Sequence, residues 1–158
     1  MLKVKDIMTT EPITIPPDTE IVHVVKVILE KHINGIPVVD ETGGLVGIIC
    51  QSDLISQQKK LSLPSFFTLL DSFIPLTSTK RVEKEFRKIS ASSARDIMTP
   101  DPVTVTSDTS LETVATLMVE KNFHTLPVVD QGKLIGIVGK EDILRTLMPG
   151  QNGLQTDG

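Results

Sequence analysis

Apolar residues along this chain follow two rhythms, and each rhythm occurs twice. Ile21, Val24, Val25, Ile28 and Leu29 are spaced three and four apart, which places them on one face of a helix. Leu111, Val114, Ala115, Met118 and Val119 repeat that stripe. Ahead of each stripe stands a short β-branched stretch, Ile13-Thr14-Ile15 or Val103-Thr104-Val105, that reads as a strand. Asp18 or Asp108 lies between, as a helix N-cap or first-turn acid. Two short apolar runs follow each stripe: residues 36–39 then 45–50, and residues 126–129 then 134–138. Gly43-Gly44 and Gly132-Lys133 join them and predict hairpins. A last helix is predicted from near Ser52-Asp53 and again from near Glu141-Asp142, the second stopping before Pro149-Gly150.

The two halves are copies of one unit. Residues 6–40 align with 96–130, and after one deletion in the turn residues 45–55 align with 134–144. Nineteen of these positions are identical, far more than unrelated stretches share. The fold class predicted is α+β (mixed α/β), two tandem β-α-β-β-α repeats with helices packed on three-stranded sheets. One such sheet cannot cover its own apolar face, whereas two packed together can. The expected organisation is repeat 1 over 1–55, an insertion and linker helix over 56–93, repeat 2 over 94–148 and a disordered tail over 149–158. The insertion holds Phe66, Phe67 and Phe73, read either as a flap over the repeats or as a dimer or partner surface. Val82, Phe86 and Ile89 form a stripe on its linker helix.

Composition narrows the function. The net charge is −4 and there is no Trp or Tyr, which argues against a nucleic-acid partner. No apolar run reaches the roughly 18 residues that span a bilayer, so no membrane partner is expected. The opening MLKVKDIMTTEP lacks the apolar core of a signal peptide, and the single cysteine, Cys50, suits a reducing compartment; a cytoplasmic location is expected. No motif of a hydrolase, kinase or metalloprotease is present, so no catalytic residue is assigned and the chain is read as a non-enzyme. No His, Cys, Asp or Glu spacing matches a metal site.

The run "DIMT…P(I/V)T(I/V)…DT…(I/L)PVVD…G(L/I)(V/I)GI…D(L/I)" occurs twice and resembles the CBS domain, found in tandem as a Bateman module. The resemblance covers residues 4–55 and 94–144. It implies pseudo-twofold repeats with two clefts between them. In the family those clefts take AMP, ADP, ATP or S-adenosylmethionine, and the module regulates another protein, often as a homodimer. A regulatory adenine-nucleotide sensor follows, with no resident cofactor and any Mg²⁺ arriving with the polyphosphate. The alternatives are an S-adenosylmethionine sensor or a ligand-free scaffold for a protein partner.

The resemblance also assigns residues. The family's motif at the start of the last helix matches residues 47–53 and 136–142, so Asp53 and Asp142 are expected on ribose hydroxyls. A carboxylate, with acceptors only, suits two vicinal hydroxyls. On the residues alone the two acids could equally serve the helix dipole. The motif's hydroxyl residue is replaced by Cys50 and Gly139, and Lys140 is a candidate substitute on phosphate beside its neutral counterpart Gln51. The Asp142 cleft is expected to be walled by Thr10, Ile13, Ile33, Asn34 and Gly35, and the Asp53 cleft by Pro100, Val103, Phe123, His124 and Thr125. Ile13 and Val103 would flank adenine, and His124 would stand at the mouth where phosphate passes.

Overall fold

The computed structural model describes residues 1–57 and 92–149. The Phe-rich insertion, the linker helix and the tail expected from the sequence lie outside the described residues. Repeat 1 contains helices α1 (Val4–Ile7) and α2 (Ile21–Lys31), strands β1 (Gly35–Val39) and β2 (Leu45–Cys50), and helix α3, described over 51–57. Repeat 2 contains α4 (Ala94–Ile97), β3 (Thr99–Pro100), α5 (Leu111–Glu120), β4 (Thr125–Asp130), β5 (Lys133–Gly139) and α6 (Lys140–Arg145). This is the mixed α/β fold expected, with small antiparallel sheets; one has three strands, β1-β2-β3, and the other two, β4-β5, in place of the three expected in each.

Each hairpin is antiparallel, running from Gly35↔Cys50 to Val39↔Leu45 in β1–β2 and from Thr125↔Gly139 to Asp130↔Lys133 in β4–β5. Both slip register at the same place, between Val38 and Val39 and between Val128 and Val129. A duplicated irregularity of this kind is a built feature of the unit. At the turns, Gly43 and Gly132 have φ of 84° and 79°, the left-handed region that glycine enters without strain.

The opening β-branched stretches differ from the strands predicted for them. Each contributes one parallel bridge, Ile15↔Val38 or Val105↔Val128. Ile15 donates to Pro37 O at 3.1 Å and accepts from Val39 N at 3.0 Å, and Val105 does the same with Pro127 and Val129. Pro12, Pro16 and Pro102 flank these residues and carry no N–H, so the ladder stops there. Asp18 and Asp108 also differ from expectation. The N-caps of α2 and α5 are Glu20 and Ser110. The two acids instead reach the other repeat's lead segment, Asp18 pairing with Arg95 at 2.9 Å and Asp108 with Lys5 at 3.4 Å. Leu29 and Val119, placed on the inward stripes by their spacing, are 67% and 82% exposed. Ile21, Val24 and Ile28, and Val114 and Met118, carry the burial.

The lead segments are exchanged between repeats. Strand β3 adds to the edge of β2, with Gly47↔Pro100 and Ile48↔Thr99. Reciprocally, Thr9 and Ile137 exchange backbone bonds of 2.9 and 3.0 Å. Glycine makes these approaches possible. A Cβ on Gly136 would stand 2.7 Å from Thr9 O, and one on Gly47 3.0 Å from Thr99 O. The cores are composite for the same reason. Ala94, Ile97 and Met98 pack with Ile21, Val24, Ile36 and Ile49, while Val4, Ile7 and Met8 pack with Val114, Leu126 and Val138. The hairpin tips also meet: Leu134 N donates to Gly43 O at 3.2 Å, and the Lys133 ammonium donates to Thr42 O. Among the described residues no helix is long and apolar enough to cross a membrane.

Candidate functional site

Exchange of the lead segments leaves a cavity on each side of the seam, one beside Asp53 and one beside Asp142. Each carboxylate is positioned by the start of its helix. Asp53 Oδ2 accepts from Cys50 N at 2.7 Å, and Asp142 Oδ2 accepts from Gly139 N at 2.8 Å. These bonds satisfy an amide at the strand-to-helix junction and fix the side chain. One oxygen of each acid is thus structural. The other, Oδ1, is held differently in the two halves. Asp53 Oδ1 has only the Thr99 hydroxyl at 3.5 Å, the outer limit of a hydrogen bond, among the described residues. Asp142 Oδ1 accepts from Arg145 Nη1 at 2.8 Å.

The Asp53 cavity has a volume of about 340 Å³. Val103, Phe123, His124 and Thr125 line it, as do Cys50 and Ser52 from the junction. The lead segment of repeat 2 enters through Thr99, Asp101 and Pro102, whereas Pro100, proposed from the sequence, pairs with Gly47 and is not in the lining. Asp101 has φ 48°, a left-handed conformation that the short Asp side chain tolerates. Its charged lining consists of Asp53, Asp101 and Lys121 beside His124. Burial, with the Asp53 charge adding to it, pushes the Cys50 thiol up to about 11. The thiol is therefore a neutral, small apolar wall.

The Asp142 cavity is smaller, about 150 Å³, and its walls are more charged. Ile33, Asn34 and Gly35 line it with Lys140, Glu141, Asp142 and Arg145. Thr9 lines it in the place expected of Thr10, because Thr9 makes the bridge to Ile137. Ile13 is 38% exposed and outside the lining. Gln51 is also outside the cavities: its amide donates to Ile33 O at 3.0 Å and its backbone N–H to Asn34 O at 3.0 Å. Thr125 is buried and borders both cavities.

Sequence reasoning passed over Thr9, Thr99, Asp101 and Arg145. Thr9 and Thr99 end the duplicated DIMT string, a signal that was available. Arg145 lies three residues beyond Asp142, on the same helical face, and that spacing predicts contact. The described residues contain no group of three or more His, Cys, Asp or Glu side chains that could hold a metal ion.

Comparison with known proteins follows the same two halves. A model of the CBS domain matches residues 4–60 and 94–149. The protein MJ1426 of Methanocaldococcus jannaschii is 32% identical, the match covering 94% of this chain and 92% of that one. The chloroplastic CBSX2 of Arabidopsis thaliana is also 32% identical, over 85% of this chain but 58% of its own length. The crystal structure of CBSX2 in complex with AMP superposes with a TM-score of 0.71 at 30% identity, covering 92% of this chain and 96% of that one. The domain pair of MJ0100, in complex with 5'-methylthioadenosine and S-adenosylmethionine, gives a TM-score of 0.66 at 29% identity, covering 92% and 95%.

Proposed function

This chain belongs to the CBS-domain family, with two CBS repeats, and from that premise we propose that it is a non-catalytic regulatory module that binds adenosine ligands between them. The observation that carries this reading is the placement of Asp53 and Asp142. Each is anchored by one oxygen to its helix start, and each lines a cavity walled by the opposite repeat. A carboxylate held in this way offers acceptors to the vicinal hydroxyls of a ribose. Apolar walls such as Val103 and Phe123 suit a purine face. The AMP complex of CBSX2 and the methylthioadenosine and S-adenosylmethionine complex of MJ0100 supply the ligand class. In this reading His124 and Lys140 meet the ligand's polar end, and Ile33, Asn34, Gly35 and Thr125 close the sides.

A ligand that touches both repeats favours the arrangement in which the seam is closed. A partner protein then reads that shift in population. A cytoplasmic location and a homodimeric state belong to the same proposal. The Asp53 cavity, with Asp53 and Asp101 against Lys121, favours a less anionic ligand, which keeps S-adenosylmethionine as a second reading for that side.

A thermal-shift screen tests the function. AMP, ADP, ATP, adenosine, 5'-methylthioadenosine and S-adenosylmethionine are each added near saturation. A true ligand at 100 times its Kd stabilises by about 2.7 kcal/mol, a shift of several degrees. The shift is expected to shrink in Asp53→Asn, in Asp142→Asn, or in both. If none of the six compounds moves the transition, adenosine sensing is excluded and the scaffold role is left.

A further inference from the structure

The Asp142 cavity contains an ion pair that has no counterpart at Asp53 among the described residues. Arg145 Nη1 is 2.8 Å from Asp142 Oδ1, and its Nη2 is 3.5 Å from Glu141 Oε2. The Asp142 side chain is 12% exposed while that of Arg145 is 54% exposed, so the guanidinium covers the carboxylate from the solvent side. With Oδ2 already bonded to the Gly139 amide, both oxygens of Asp142 are engaged. In repeat 1 the position equivalent to Arg145 is Ser56, whose hydroxyl donates to Ser52 O at 2.8 Å. The position equivalent to Lys140 is the neutral Gln51.

We propose that Arg145 makes the Asp142 cavity selective for adenosine compounds that carry phosphate, by occupying the carboxylate that a ribose needs. This rests on the proposed binding of adenosine ligands between the repeats. The Asp142 side chain is only 12% exposed and Arg145 stands on its solvent side, so a ribose that approaches Oδ1 competes with the guanidinium for it. The exchange gives up an ion-paired hydrogen bond for bonds from neutral hydroxyl donors and leaves the half-exposed guanidinium to solvent and Glu141, so a bare nucleoside binds less tightly here than at an uncovered carboxylate. A phosphate returns a partner to the displaced Arg145, which is suited to bidentate contact with phosphate oxygens. Lys140, in the same lining, adds a second cation. Glu141 is the competing acid, and its longer 3.5 Å contact on a 73% exposed side chain makes it the weaker holder. Among the described residues no guanidinium covers the Asp53 carboxylate, so a nucleoside without phosphate meets no such competitor there.

Site-resolved NMR titration of the full chain tests this. The Gly139 and Thr9 amides report on the Asp142 cavity, and the Cys50 and Phe123 amides on the Asp53 cavity. AMP and adenosine are titrated into the wild type and into Arg145→Gln, a half-exposed position where the substitution leaves the core untouched. In the wild type the Gly139 and Thr9 signals should give AMP an affinity at least about tenfold tighter than adenosine, a difference of 1.4 kcal/mol. In Arg145→Gln the two affinities should converge to within about threefold, adenosine gaining and AMP losing, with the Asp53 side unchanged. A ratio that survives the substitution, or that is near one in the wild type, overturns the role of Arg145 while leaving adenosine binding in place. Absence of shifts at both cavities with both compounds removes adenosine binding itself.

Discussion

At the scale of single residues, Asp53 and Asp142 each hold their helix start through one oxygen, and the proposed function gives ligand contact to the same side chains, so the two tasks that the sequence presents as alternatives are compatible. Replacing Asp53 by Ala deletes the 2.7 Å bond to the Cys50 amide and should lower stability by about 0.3–1.5 kcal/mol, read from urea midpoints. Asp53→Asn keeps an acceptor for that amide and should lose less than half as much, while still weakening ligand binding. Cys50 gives a pH signature. Its folded thiol titrates at about 11 against an ordinary 9.0, so the folded state holds that proton more tightly. The group's contribution is therefore complete below pH 9 and lost as pH rises from 9 towards 11. Between pH 8.5 and 11 the wild-type urea midpoint should fall further than that of Cys50→Ala; parallel decline of both proteins would show that the thiol titrates normally.

Among the elements, the seam between repeats depends on the two glycines that admit the exchanged segments. Gly136→Ala drives a Cβ towards Thr9 O, a backbone atom that cannot step aside alone. The expected loss is about 1–3 kcal/mol, with weaker binding in the adjacent Asp142 cavity. Gly139→Ala on the same strand is the control, since the nearest atoms to its added Cβ are 3.7 Å away, and it should stay within about 0.5 kcal/mol of wild type. Denaturant midpoints of the pair check both. The helix starts are unequal as well. Ser110 caps α5 by accepting from Thr113 N at 3.2 Å, whereas Glu20 at the start of α2 makes no such bond, although both have extended backbones. Glu20→Ser should therefore stabilise the protein by roughly 0.5–1 kcal/mol, measurable in the same assay.

For the whole molecule, the bonds that join the repeats are those a bound ligand should protect. Val4 N to Thr109 O, Ala94 N to Thr19 O and the Thr9–Ile137 pair all run between a lead segment and the opposite repeat. If opening the seam abolishes binding, ligand at 100 times its Kd slows exchange of these amides by up to about 100-fold. Amides inside the hairpins, such as those of β4 and β5, should gain less. Hydrogen exchange with and without AMP reads the difference; equal gain everywhere would mean that ligand stabilises the global fold without closing the seam.

Local chemistry settled much of this in advance. Periods of 3.6 and 2 reveal α2, α5 and the two hairpins, because amphipathic faces must alternate with the geometry of the element. Duplication exposes the twofold plan, and the acid at each helix start marks where the cavities lie. Composition cannot show which partner a segment chooses. The single-bridge pairing of Ile15 with Val38 and the passage of Thr9 and Thr99 into the opposite repeat join residues far apart in the chain. The energies of the Thr9 and Thr99 contacts exist only once both repeats are assembled, whereas the Arg145–Asp142 pair is local and follows from its spacing on one helix.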